Sequence, residues 1–454
     1  MKKKITYRIE ADSLGKVKVP KDALYGAQTQ RAIDNFKISG ECFPPVFLQA
    51  LALLKASCAL ANKESGLMTI RKAQVIYKCA IDIFKNIDKY YDQFPIDIFQ
   101  TGSGTSTNMN MNEVIANMAS KILKSKVHPN DDVNMSQSSN DIIPSAIIVS
   151  CTIECEHLTD AVDTLTTSLM RKTEKTSEIK SGRTHLMDAV PINFSEEIWS
   201  WENLVLSGYQ CNTTNFLPIG GTAVGTGINA PKNFGKKVCK NLNKILGIKS
   251  IKFEAHPHPY TYISSQDHIL ETSGHFLVFA SALTKICNDL RWMNSGPISG
   301  LGEITLKPLQ PGSSIMPGKI NPVIPEAVLM AMAQVTGNHN TINIACNSGN
   351  FQLNAMLPVI ARNILESSKL LENSALALSD VIKTFTINSE KIKSNLERNP
   401  IIATKLNEVV GYDLTSKIVK EAYKSKKPII EVAEKMTNLS KAQLKELLDP
   451  KKLA

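Results

Sequence analysis

The stretch "FLVFASALTKICNDLRWM", residues 276–293, decides the fold class. Phe276, Phe279, Leu283, Ile286, Leu290 and Met293 recur at spacings of 3, 4, 3, 4 and 3. That rhythm predicts a helix with one apolar seam, of the kind that packs in bundles. Leu158, Val162, Leu165 and Leu169 step by 4, 3 and 4, and Ile360, Ile364, Leu371, Leu378 and Ile382 share one face of the same period. No comparable series of alternating strands accompanies them, so the expected class is mainly α. The bland use of such a seam is internal core, but several long seamed helices in one chain also suit association between subunits.

Composition sets wider bounds. A chain of 454 residues suggests two to four domains, and 43% hydrophobic with 21% charged residues is the balance of a soluble globular protein. A core of that size needs neither disulfide nor metal. No run of about 18 uncharged apolar residues argues for a membrane span. The start, "MKKKITYRIEADSLGKV", is basic without an apolar stretch after it, so no signal peptide is expected and the setting is read as cytoplasmic. Nine cysteines without a CxxC pair read as free thiols in a reducing compartment. The net charge of +10 suits nucleic acid or the steering of a small anion. The lysines are dispersed, apart from short clusters such as "KSKKP" at 424–428, and aromatics are not interleaved with them. A stacking platform for nucleic acid would need that interleaving.

Between the helical patterns lie segments of a different character: "FQTGSGTSTNMNMNEV" (99–114), "VHPNDDVNMSQSSNDIIP" (127–144), "SGRTHLMDAVP" (181–191) and "IGGTAVGTGIN" (219–229). Each precedes a helical pattern, and Ser, Thr, Asn and Gly at helix starts leave N–H groups able to bind anions. A fifth, "PGSSIMPGKINP" (311–322), is a loop by its prolines and glycines. Turn chemistry alone explains one or two such segments; five suggest a shared polar site.

Within them, His185 stands beside Thr184 and Arg183, which lifts it above the usual structural histidine. His256 and His258 in "AHPHPY" read as a Pro-fixed turn; a metal site with Asp267 and His268 is the lesser alternative, since their spacing matches no strong ligand motif. Cys151, Cys155 and His157 on adjacent helical turns read as core. Ser313 and Ser314 are loop formers unless something activates them. Neighbouring N–H groups and Lys319 supply either a cradle for an alkoxide-like charge or a seat for a carboxylate. No G-x-S-x-G elbow surrounds them, which disfavours acyl-transfer hydrolysis.

Taken together, "GSSIMPGKINP", "TGSGTSTNMNMNEVIAN", "VHPNDDVNMSQSSND", "SGRTHLMDAVP", "GGTAVGTGIN" and "NDLRWMNSGP" resemble the fumarase/aspartase superfamily, in its order and spacing. The resemblance runs from "YGAQTQRA" at 25 to "LNEVVGYD" at 406–413 and is to class II fumarase (fumarate hydratase) within that superfamily. Aspartase typically has Gln where His185 stands, Ala where Gly318 stands, and "STN" in place of Ser138-Ser139-Asn140. Against these three positions, "NPVIPE" (321–326) is also an aspartase form.

The resemblance implies a lyase of the tricarboxylic acid cycle that interconverts L-malate and fumarate, with Ser313 abstracting the C3 proton and His185, paired with Glu326, acting on the water. It assigns carboxylate binding to Ser103, Thr105, Ser138, Ser139, Asn140, Thr184, Ser314, Lys319 and Asn321. It makes His128, Asn130 and Asp131 a second, non-catalytic dicarboxylate site, for which a helix cap is the equal alternative. It implies no metal and no organic cofactor. Its fold has an N-terminal domain (1–138), a central helical bundle (139–388) and a small C-terminal domain (389–454). Four bundles join into a twenty-helix core of a homotetramer with shared sites. The alternatives are an aspartate ammonia-lyase and, in a different class, a non-catalytic basic helical binding protein.

Overall fold

The 276–293 seam lies on the 27-residue helix Asp267–Met293, and Phe276, Phe279, Leu283, Ile286, Leu290 and Met293 are all buried. The structure is a computed structural model that describes residues 6–210, 213–247 and 251–454. The other two series behave alike: Leu158 to Leu169 is buried on the helix Ser139–Lys175, and Ile360 to Ile382 on Leu357–Thr384. The fold is mainly α, as the periodicity predicts. Among the described residues the strands form only two-stranded pairs.

Two compact units are present. One comprises Met1–Thr159, Gln210–Leu277 and Gln334–Leu371; the other comprises Asp160–Tyr209, Val278–Ala333 and Glu372–Ala454. In the first, the helix Pro45–Glu64 packs against Ile70–Lys85 and Phe234–Leu246. Pro45 at its first turn loses no needed N–H, and Phe47, Leu48, Leu51 and Leu54 fill the interior. Pro45–Glu64 and Ser139–Lys175 are apolar and long enough to cross a membrane by composition alone, but 78% of each apolar window is buried within the fold. Core packing accounts for both.

In the second unit the strands Ile179–Thr184 and Met187–Asn193 form an antiparallel hairpin. A helix follows the 181–191 segment, as the sequence reading expects, but the segment itself is strand, which that reading did not foresee. The helix Phe194–Gly208 begins only after a second strand. The connecting residues, His185 and Leu186, have φ of 56° and 60°. A tight two-residue turn of this kind normally announces itself by Asn-Gly or Gly-Gly, and His-Leu does not. A separate small core gathers Leu396, Ile402, Leu406, Ile418, Ile429 and Leu444.

The thiol reading needs one correction. Cys42, Cys58, Cys79, Cys151, Cys239, Cys287 and Cys346 are free, but Cys155 is disulfide-bonded, and Cys211 lies outside the described residues. An odd count and scattered spacing say nothing about which cysteines the fold brings close.

Candidate active site

The candidate residues divide into two groups, one in each unit. In the first unit, Gly104 adopts φ 70° immediately before the helix Thr105–Leu123, placing Ser103 and Thr105 around the helix N-terminus. Their hydroxyls lie 2.7 Å apart and share a hydrogen bond. Gly102 passes so close to Ala355 that a Cβ would fall 1.8 Å from its carbonyl oxygen.

Ser138, Ser139 and Asn140 open the next long helix. Two side chains cap its start: the Ser138 N–H donates to Asp141 Oδ1 at 2.9 Å, and the Asn140 N–H donates to Ser138 Oγ at 3.2 Å. Ser139 Oγ accepts from Asn108 Nδ2 at 2.9 Å, and Asn140 Nδ2 donates to the Ala223 carbonyl at 2.8 Å. The Ala223 contact joins this turn to the 219–229 segment, in which sequence reading named no individual site residue.

His128 forms a cap, and Asn130 and Asp131 are exposed on the turn that it caps. His128 precedes the π-helical turn Pro129–Val133, and its Nδ1 accepts the Asp131 N–H at 3.1 Å. The His128 N–H donates to Asp132 at 2.8 Å, and Lys72 pairs with Asp132 at 2.7 Å. His128 thus caps the turn, as the capping reading expects of it.

The second group holds Thr184 and His185 at the exposed hairpin tip, and Ser313, Ser314, Lys319, Asn321 and Glu326 on and after the 311–322 loop. That loop is pinned at its base. The Gly312 N–H donates to the Lys319 carbonyl at 2.9 Å, and Asn321 Nδ2 donates to the Gly312 carbonyl at 2.8 Å. A Cβ on Gly312 would sit 2.3 Å from the Lys319 oxygen, so only glycine closes it. Pro317 and Gly318 (φ 81°) form the turn from Met316 to Lys319, the pairing that a type II turn requires. Within the loop, Ser313 Oγ accepts two backbone N–H groups, from Ile315 at 3.2 Å and Met316 at 3.1 Å. Donors converging on one hydroxyl oxygen favour its negatively charged form.

Glu326 lies in the first turn of the helix Val323–Cys346. Within the chain no hydrogen bond or ion pair joins it to His185 among the described residues. The hairpin beneath His185 rests on buried ions. Glu303, 1% exposed, meets Lys180 and Arg183 at 2.7 Å each, and Lys180 also meets Glu197 at 2.8 Å. Gly182 lies where the strand register shifts between Ser181 and Arg183, and a Cβ there would meet the Val190 oxygen at 2.8 Å.

Sequence reading missed these buried charges, and others in the first unit. Lys55 and Asp141 are fully buried; burial lowers the lysine and raises the carboxyl. Asp97 differs. Burial would raise it, but the N–H groups of Gly40, Phe99 and Ser39 and the Ser39 hydroxyl outweigh burial and hold it at about 2. The one sequence signal for Lys55 is a single lysine inside the otherwise apolar "ALALLKASCALA".

Comparison with known proteins agrees over nearly the whole length. Residues 15–337 match a family described as lyase, and residues 402–454 match one described as the fumarase C C-terminus. A Xylella fastidiosa protein named fumarate hydratase class II is 48% identical over 452 residues, spanning 98% of this chain and 94% of its own length. A Pseudomonas aeruginosa fumarate hydratase class II 2 is 47% identical, spanning 98% of both chains. The crystal structure of a class II fumarase from Schistosoma mansoni superposes with a TM-score of 0.92 at 34% identity, covering 98% of each chain.

Proposed function

The chain belongs to the class II fumarate hydratase family, and from that premise we propose that it interconverts L-malate and fumarate by anti elimination and addition of water, with Ser313 as the base. The observation that carries the assignment to Ser313 is the pair of N–H groups on its Oγ. Removing the C3 proton of malate places two negative charges on the neighbouring carboxyl group. In the proposed step the Ser313 alkoxide takes that proton, and the C–H electron pair moves into the carboxylate. The carbon–oxygen bond at C2 then breaks, its electron pair leaves with the oxygen, and the departing hydroxide takes a proton from His185 to leave as water. Preorganised donors stabilise such charge by about 3–4 kcal/mol each. Ser103, Thr105, Ser138, Ser139, Asn140, Thr184, Ser314, Lys319 and Asn321 are the proposed holders of the two substrate carboxylates.

The full site belongs, in this reading, to a cytoplasmic homotetramer in which different subunits supply the groups, so that Glu326 reaches the His185 of a neighbour. What supports sharing is the exposure of apolar side chains on the catalytic segments: Leu186 at 65%, Met187 at 70% and Ile315 at 83%. Exposed apolar side chains suit a surface that another chain covers where they gather into one patch. The three-part division at 138 and 388 belongs to the same proposal, and the separate core around Ile402 and Ile418 supports its C-terminal part. A second dicarboxylate site at His128, Asn130 and Asp131 is compatible with the exposed Asn130 and Asp131 side chains.

The test is absorbance at the fumarate band on adding L-malate, then L-aspartate. Activity on L-malate alone is expected; activity on L-aspartate alone would replace the proposal with an ammonia-lyase. Ser313→Ala and His185→Gln should each lower turnover by about 10²–10⁴-fold while the enzyme stays folded. Near-normal turnover in Ser313→Ala would remove the base assignment.

A further inference from the structure

Two buried charges outside the proposed site converge on the turn that carries Ser138, Ser139 and Asn140. Lys55, 0% exposed on the helix Pro45–Glu64, donates from Nζ to Asn134 Oδ1 at 3.0 Å and Gln137 Oε1 at 2.9 Å. Asn134 Oδ1 also accepts from Asn108 and Asn112 at 3.2 Å each, which fixes it to the helix Thr105–Leu123. Asp141, also 0% exposed, uses both oxygens. Oδ1 accepts from Ser138 N–H, while Oδ2 accepts from the N–H groups of Gly220 and Thr222 at 2.9 Å each.

Burying a lysine and an aspartate is a poor way to gain stability, because apolar residues of similar volume commonly do as well. Charge-assisted hydrogen bonds are short and directional, however, and they fix a backbone where apolar contact lets it slide. Here they fix the 134–141 turn from both sides and hold the glycine-rich 219–223 segment against it.

We propose that Lys55 and Asp141 are positioning residues: they hold the Ser138–Asn140 turn, and the 219–223 segment bonded to it, in the shape that receives a substrate carboxylate. The inference rests on the function proposed above, and neither residue touches substrate. An Asp141→Asn side chain keeps one oxygen. With that oxygen toward Gly220 and Thr222, its amide N–H₂ faces the Ser138 N–H, and two donors meet. The turn is released while the chain still folds.

Asp141→Asn should therefore raise KM for L-malate by about tenfold or more and leave kcat within about threefold. Lys55→Met should act in the same direction. A purely structural role would lower the urea midpoint of either variant and leave KM of the folded enzyme unchanged, which overturns the proposal. If neither variant folds, amide exchange on the wild-type enzyme decides. The amides of Ser138, Gly220 and Thr222 should be protected before ligand is added and gain little from a saturating dicarboxylate such as succinate. Protection that arises only with succinate overturns the proposal. Wild-type turnover of L-malate is the control: an inert wild type defeats the proposed function, and the exchange experiment still tests preorganisation.

Discussion

Gly102→Ala tests whether the Ser103–Thr105 segment is held by close backbone contact. The added Cβ would lie 1.8 Å from the Ala355 oxygen, 2.5 Å from its carbonyl carbon and 2.9 Å from its Cα. Real Cβ contacts essentially never fall under 3.0 Å, so the two backbones must part by about 1.2 Å. The obstacle is main chain just ahead of the helix Leu357–Thr384, and it cannot rotate aside as a side chain would. Overpacking of this sort costs about 1–3 kcal/mol. Separation also weakens the bond from Leu357 N–H to the Gly102 carbonyl, 3.0 Å long, worth about 1 kcal/mol. The expected loss is thus about 2–4 kcal/mol, read as a lower urea midpoint. The same movement carries Ser103 and Thr105 with it. Misplacing a substrate-holding group by about 1 Å costs on the order of 10²-fold in rate. Fumarate absorbance should accordingly show kcat/KM for L-malate reduced by about that factor in enzyme that remains folded. A variant with the wild-type midpoint and wild-type kcat/KM would refute the reasoning, because it would mean the close approach constrains nothing.

Two further perturbations probe the buried ions. Glu303→Gln leaves Lys180 and Arg183 without their shared negative partner, and breaking a buried pair in this way costs about 3–5 kcal/mol; an unchanged urea midpoint would show that water or Glu197 replaces it at no cost. Asp97 has a folded pKa of about 2 against 3.8 for the free side chain. Because the folded value is the lower one, its contribution is complete above the unfolded value and is lost as pH falls through it toward about 2. That contribution is on the order of 2 kcal/mol. Asp97→Asn should lack this part of the acid dependence, so urea midpoints measured down that interval should fall less steeply than in wild type. Parallel curves would contradict the assignment.

What the sequence made legible follows from how information is written in it. A seam such as Phe276 to Met293 repeats, and repetition survives ignorance of the partner, so helix and buried face were both readable. Polar loops such as 311–322 were readable by residue type, since glycine and proline name the turn they make; Gly318 at φ 81° is where a Pro-Gly pair places it. His185 was singled out as a candidate through its neighbours. Its backbone was not legible, because a left-handed His-Leu pair is a conformation the tertiary structure imposes on residues that do not favour it.

The positioning charges were illegible for a different reason. Asp141 has its meaning from Gly220 and Thr222, about 80 residues away, and Lys55 from Asn134 and Gln137 at a similar remove. A single lysine or aspartate carries no period, and pairing at that distance leaves no local mark. The same is true of Glu303, which joins Lys180 and Arg183 across more than a hundred residues. Groups proposed to meet substrate stand out in one sequence because their loops are chemically unusual. Groups that hold those loops still are ordinary residues in ordinary helices, and only burial and the direction of their hydrogen bonds separate them from surface charges.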